Sequence, residues 1–177
     1  MTAEQPRPPE APPGGNLQRL WTPWRSAFIN EPTAPGCFLC RLAAADPADD
    51  PANLVLYRDV SAYVLLNRFP YNSAHLLVAP LSHVGDFAKL SEAVRDSLFR
   101  LAQRAVALLN TEYRPEGFNV GMNLGAVAGA GVPDHLHVHV VPRWGGDTNF
   151  MPVLAETKVL PESLEQTYAR LRPHFDS

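Results

Sequence analysis

Three histidines alternate with apolar residues in His135-Leu136-His137-Val138-His139-Val140-Val141, a run that holds half of the six histidines in the chain. Successive side chains of a strand point to opposite faces. A period of two therefore sends His135, His137 and His139 to one side and Leu136, Val138 and Val140 to the other. The apolar set anchors the strand in a core, and the histidine set lines a surface or cleft. Two kinds of chemistry suit such a row. Histidines two apart on a strand can hold a catalytic zinc ion. Alternatively, one imidazole attacks phosphorus while its neighbours donate to the phosphate oxygens and the leaving group. The preceding loop, residues 125–131 with the sequence Gly-Ala-Val-Ala-Gly-Ala-Gly, carries little side-chain bulk, so its backbone amides can approach an anion closely. That context favours phosphate.

A nucleophilic imidazole must present one nitrogen lone pair in line with the leaving oxygen. Its other nitrogen must then keep the proton, and a backbone carbonyl accepting that proton would fix the tautomer. A second chemical element is the pair Cys37 and Cys40, spaced C-x-x-C. Such a pair is a metal site, a redox element, or simply two small buried residues.

These residues need a scaffold. Residues 53–58, 62–66 and 75–79 have strand character, with a turn at 67–73 marked by Pro70, Asn72 and Ser73. Ser91 can cap a long helix reaching Tyr113, since Val94, Leu98, Leu101, Ala105 and Leu108 share one face; Pro115 and Gly117 close it. Further strands are expected over 118–123 and 135–142, and a short helix over 161–171 with Pro161 in its first turn. The fold class is therefore α+β: a mainly antiparallel sheet, one long helix and a short C-terminal helix. Residues 1–19 are expected to form a mobile Pro-rich tail, and residues 20–177 a single domain with ordered structure from about Gly36. Trp21 and Trp24 are expected to pack on the body or on a second subunit.

With 177 residues, 46% of them hydrophobic, the chain can bury one core. A net charge of −3 gives no basis for binding nucleic acid or an anionic membrane through a global field. The absence of a long apolar run argues against a membrane span, and a cytoplasmic location is expected.

The run of alternating histidines, with Asn67, Ser73-Ala74-His75-Leu76-Leu77-Val78 and Gly121-Met122-Asn123, resembles the histidine-triad (HIT) superfamily over about residues 36 to 150. The resemblance implies a HIT-like fold, a nucleotide substrate and catalysis at the α-phosphate through a covalent nucleotidyl-histidine. It makes His137 the nucleophile, with His139 and His75 beside it as catalytic residues. Asn67, Asn123, Gly129, Gly131, His137 and His139 become nucleotide-binding. In a zinc-bearing branch of the family a C-x-x-C pair joins two histidines, and the matching positions here are Cys37, Cys40, His83 and His135. One structural zinc, no organic cofactor and a homodimer follow from the same resemblance. His174 is expected at the solvent surface.

Trp21-Thr22-Pro23-Trp24-Arg25, Asn119-Val120-Gly121 and Pro142-Arg143-Trp144-Gly145-Gly146-Asp147 are similar to a bacterial subgroup that acts on diadenosine tetraphosphate. Phosphorolytic members carry Gly-Ser where this chain has Ala130-Gly131, so a hydroxyl that could hold an incoming phosphate is missing. Water is accordingly the expected acceptor. A phosphorylase, a nucleoside phosphoramidase and a nucleotide-binding signalling module are the alternatives. Arg143 and Trp144 suit contact with phosphates or a base, and equally a salt bridge and a packed indole.

Overall fold

The structure is a computed structural model and describes residues 36–147 and 161–176. The tail at 1–19, the tryptophans at 21 and 24, and residues 148–160 lie outside the described residues.

Five strands form one sheet: β1 (Val55–Arg58), β2 (Ala62–Leu66), β3 (Leu76–Pro80), β4 (Gly117–Gly121) and β5 (Val138–Arg143). Their order is β1-β2-β3-β5-β4, and every pairing is antiparallel. Among the described residues four α-helices accompany it: α1 (Phe38–Ala44), the single turn α2 (Asp50–Asn53), the long α3 (Glu92–Tyr113) and α4 (Leu164–Leu171). Both β2 and β3 are buried along their whole length, which explains apolar runs rather than polar alternation. On one face Val64, Leu76, Val78, Val138 and Val140 pack with Leu98, Leu101, Ala105 and Leu109 of α3. On the other, Val55, Tyr63, Leu65, Leu77 and Ala79 pack with Leu39 of α1.

The helix cap at Ser91 is present, its hydroxyl accepting from the Val94 N–H at 3.4 Å. Several boundaries differ from expectation for local reasons. Residues 53 and 54 are not strand: Asp50 to Asn53 coil into a helical turn, and Leu54 ends it in the left-handed region at φ 60°. β3 is shifted by one residue, and β4 stops at Gly121. The C-terminal helix does not begin at Pro161; Ser163 caps it through a reciprocal pair with Gln166, at 3.2 and 2.9 Å. His174 is at the surface but lies 3.3 Å from Glu112 Oε1.

β5 starts at Val138 rather than at residue 135. The Leu136 N–H turns to the Val84 carbonyl at 2.8 Å, so the backbone at Leu136 bonds to the segment after β3 and not to β3 itself. Gly85 makes this approach feasible. A Cβ there would sit 2.8 Å from Asp134 Cα and 2.9 Å from the Pro133 carbonyl oxygen. The close passage brings His83 beside His135.

Seven residues are too few for an isolated helix, so α1 depends on docking. Leu39 is fully buried, and its carbonyl accepts the Tyr63 hydroxyl at 2.8 Å. Arg58, paired with Asp50, donates to the Ala43 and Leu42 carbonyls at 3.0 and 2.8 Å. Cys37, the N-cap, and Cys40 are thereby held against the sheet.

Asp59, after β1, ties the sheet to α3. It accepts the Ser97 hydroxyl at 2.5 Å and the Arg100 guanidinium. The Ser97 bond, with help from the Val60 amide and Arg100, holds its carboxyl below the ordinary value of 3.8. A depressed folded value adds stability at pH above the unfolded value, and that stability is lost as pH falls through the folded one. Asp59→Asn is therefore expected to lower Tm by about 2–4 °C at pH 7. Near pH 3 the difference should shrink, and thermal melts at both pH values check it.

Candidate active site and metal centre

The histidine row serves two centres rather than one. Val138 and Val140 enter the core against α3, so the alternation holds, and the histidines lie on the side away from that helix. His135 then faces the cysteine pair, while His137 and His139 face each other with ring centroids 4.9 Å apart.

His137 is almost wholly buried, at 8% exposure. Its Nδ1 donates to the His135 carbonyl at 3.0 Å, which leaves Nε2 with the lone pair. Burial pushes the His137 imidazole below its ordinary value, partly offset by that same bond. A lowered value favours the neutral ring at physiological pH, the form in which an imidazole can attack.

A chain of hydrogen bonds fixes the neighbouring histidines. The Tyr71 N–H points at His75 Nδ1 from 3.0 Å, and Asn67 Nδ2 lies 3.2 Å from the same atom. Asn67 is oriented by its Oδ1, which accepts the Phe69 N–H at 3.0 Å. With donors on Nδ1, neutral His75 carries its proton on Nε2, which donates to His139 Nδ1 at 3.0 Å. Neutral His139 is then protonated on Nε2. The Tyr71 ring stacks on His139 with centroids 5.7 Å apart.

A cavity of about 600 Å³ opens beside His139, lined by Tyr71, Asn72, Phe118, Met122, Asn123 and Arg143 among others. Asn123 donates to the Gly129 carbonyl at 3.3 Å, joining the glycine loop to the end of β4. Gly129 adopts φ 87°, a conformation that favours glycine, and Gly131 is exposed on the same loop. Arg143 is engaged with the Asp147 carboxylate at 2.5 and 2.8 Å and with Asn119 at 2.7 Å, which is the salt-bridge reading of that residue. Trp144 is half-buried, and its N–H lies 3.2 Å from Asp147 Oδ2.

The second centre gathers Cys37, Cys40, His83 and His135, each offering one ligand atom, all within 4.8 Å of one another. Three contacts are shorter: Cys37 Sγ to His135 Nδ1 at 3.3 Å, Cys40 Sγ to His135 Nδ1 at 3.4 Å, and Cys40 Sγ to His83 Nδ1 at 3.2 Å. Zinc bonds of about 2.0–2.3 Å in tetrahedral array put ligand atoms roughly 3.3–3.8 Å apart, so these donors are near the required spacing. His135 Nε2 donates to the Pro80 carbonyl at 2.9 Å, which leaves Nδ1 as the ligating atom and supplies the usual outer hydrogen bond of a metal-bound histidine. Burial and the adjacent Cys37 thiol push the Cys40 thiol up, a balance that a cation would reverse. The donor set fits one structural metal ion.

The structure thus brings His75, His137 and His139 together with Asn67, and brings Asn123 into the adjoining cavity. Tyr71, Asn72 and Asp147 also belong here, although the sequence marks Asn72 only as a turn residue. Nothing in local spacing signals them, because Asn72 and Asp147 meet across 75 residues.

Residues 49–146 match the model of the HIT domain family. The chain belongs to that family. Among HIT proteins it is 40% identical over 157 residues to a protein of Mycobacterium tuberculosis named AP-4-A phosphorylase, an alignment covering 85% of this chain and 80% of that one. It is 32% identical to a bifunctional bis(5'-adenosyl)-triphosphatase/adenylylsulfatase of Arabidopsis thaliana, over 61% of this chain and 59% of that protein. The fold matches a crystal structure described as a Zn-bound histidine triad family protein from Mycobacterium smegmatis. That match has a TM-score of 0.62 and 23% identity, over 80% of this chain and 94% of the other.

Proposed function

We propose that this HIT protein is an enzyme that cleaves dinucleoside polyphosphates at the α-phosphate, with His137 as nucleophile and a nucleotidyl-histidine as intermediate. The observation that carries the reading is the 3.0 Å bond from His137 Nδ1 to the His135 carbonyl, which makes Nε2 the reactive atom. The names of the M. tuberculosis and A. thaliana relatives support the substrate class.

In the first step His137 Nε2 forms a bond to the α-phosphorus while the bond to the bridging oxygen breaks. The leaving nucleotide departs with that electron pair. The His139 Nε2–H donates to a phosphate oxygen and offsets the charge that develops there. Asn67, Asn123 and the amides of the loop at Gly129 and Gly131 hold the nucleotide. In the second step an acceptor attacks the same phosphorus, the P–N bond breaks, and the electron pair returns to His137 Nε2.

Cys37, Cys40, His83 and His135 would hold zinc, which supplies a cross-link and no chemical step, since four protein ligands leave no open position. No organic cofactor enters this reading. His135 faces the cysteines, so a zinc shared by all three histidines of the row finds no support. Among the described residues no helix is long and apolar enough to cross a membrane. Among the described residues β4 is an edge strand with Val120 48% exposed, which supports a homodimer. A cytoplasmic location would keep both thiols reduced.

Water is the acceptor in this reading, because Ala130-Gly131 offers no hydroxyl to an incoming phosphate. A phosphorylase is the second reading, favoured by the name of the 40% identical relative. Labelled orthophosphate separates the two. With diadenosine tetraphosphate, hydrolysis gives unlabelled AMP and ATP, whereas label entering ADP assigns phosphorolysis.

A further inference from the structure

Either nitrogen of a neutral imidazole can carry the proton, and hydrogen-bond partners decide which. For His139 the deciding partner is His75, and for His75 it is the backbone at Tyr71. That backbone belongs to the turn at 67–73, whose first half is held by the Asn67 side chain and backbone and whose second half needs an anchor of its own. The anchor is Asn72. It is buried at 8% exposure, and its Nδ2 donates to the Pro142 carbonyl at 3.0 Å and to Asp147 Oδ2 at 2.9 Å. Both amide hydrogens are thereby committed to the end of β5.

Asp147 is itself braced. Its carboxylate accepts from Arg143 Nε and Nη2 and from the Trp144 N–H. The Asn72 carbonyl accepts the His75 N–H at 3.3 Å, so the turn and the imidazole are fastened to each other at two points. We propose that Asn72, held by Asp147 and the Pro142 carbonyl, is a positioning residue. It keeps the His139 proton on Nε2 by way of the Tyr71 N–H and His75. This rests on the nucleotidyl transfer proposed above, in which that proton meets the phosphate.

Asn72 lines the cavity beside His139, but both of its amide hydrogens are committed to Pro142 and Asp147, so its removal should act more on proton placement, and hence kcat, than on KM. Asn67 Nδ2 still faces His75 Nδ1 after the turn loosens. The loss should therefore be partial. In a catalytic triad the wrong histidine tautomer costs about 10⁴ in kcat, and incomplete bias should cost less, on the order of 10–100-fold.

The experiment uses the full chain labelled with ¹⁵N at histidine, and records long-range proton–nitrogen correlations alongside kinetics with diadenosine tetraphosphate. In the wild type His139 should show a protonated Nε2 and a bare Nδ1. In Asn72→Ala both nitrogens should move toward averaged shifts, with kcat down about 10–100-fold and KM within about threefold. Asp147→Ala should move them in the same direction, and supplies the reading if Asn72→Ala does not fold. Asp59→Asn, a destabilised control remote from the turn, should keep the wild-type tautomer.

Three results would each overturn the inference: a wild-type His139 protonated on Nδ1, an unshifted tautomer in the folded variant, or an unchanged kcat. A wild type that cleaves no dinucleoside polyphosphate would instead sink the proposed function, and the tautomer spectra would still decide the role of Asn72.

Discussion

His137→Ala is expected to lower kcat by at least about 10⁴-fold while nucleotide affinity stays within a few-fold of wild type. The split follows from geometry. Covalent attack needs the His137 Nε2 lone pair, whereas Asn67, Asn123, the glycine loop and the cavity beside His139 remain when that ring is removed. His139→Ala should cost less, on the order of 10²–10³-fold, as the loss of one donor to the phosphate. Steady-state kinetics paired with calorimetric titration of a nucleotide check both. A His137→Ala enzyme retaining more than a tenth of wild-type kcat would end the covalent mechanism.

The second large effect concerns the metal. Protein purified without a polyhistidine tag should contain about one zinc per chain, as one filled four-ligand site requires. Cys37→Ser combined with Cys40→Ser should abolish that content and lower Tm by at least about 10 °C, because metal-binding energy is folding energy. α1 is only seven residues long and is held by Leu39, the partly buried Phe38, Leu42 and Ala43, and the Arg58 and Tyr63 bonds, and the site would fasten it further to His83 and to the head of β5. Activity should fall with the metal, since His135 would supply a ligand and also carries the carbonyl that orients His137. Unchanged melting and zinc content in the double variant, or metal-free wild-type protein, would contradict the assignment.

Much of this arrangement is legible in the sequence wherever a local pattern carries it. The strand at Ala62–Leu66 and the Ser91 cap follow from apolar runs and one capping side chain. The histidine alternation correctly placed Val138 and Val140 in the core. The division of that row into two centres was not readable from its period. It depends on Leu136 pairing with Val84 and on the close passage of Gly85 over Asp134, contacts across some fifty residues. The sequence likewise names Asn72 a turn former, yet its partners Pro142 and Asp147 belong to a distant strand end. Leu54 shows the local version of the problem: an apolar residue in a strand-like run that instead closes a helical turn with a left-handed backbone.

The most direct test of the central claim is to trap the intermediate. Wild-type protein mixed with diadenosine tetraphosphate and quenched within a single turnover, above pH 9 to preserve a phosphoramidate, should gain the mass of one adenylyl group. Peptide mapping should place that group on His137, and brief acid treatment should remove it. Substrate consumed through a full turnover with no adduct detected, or an adduct on any residue other than His137, would contradict the account.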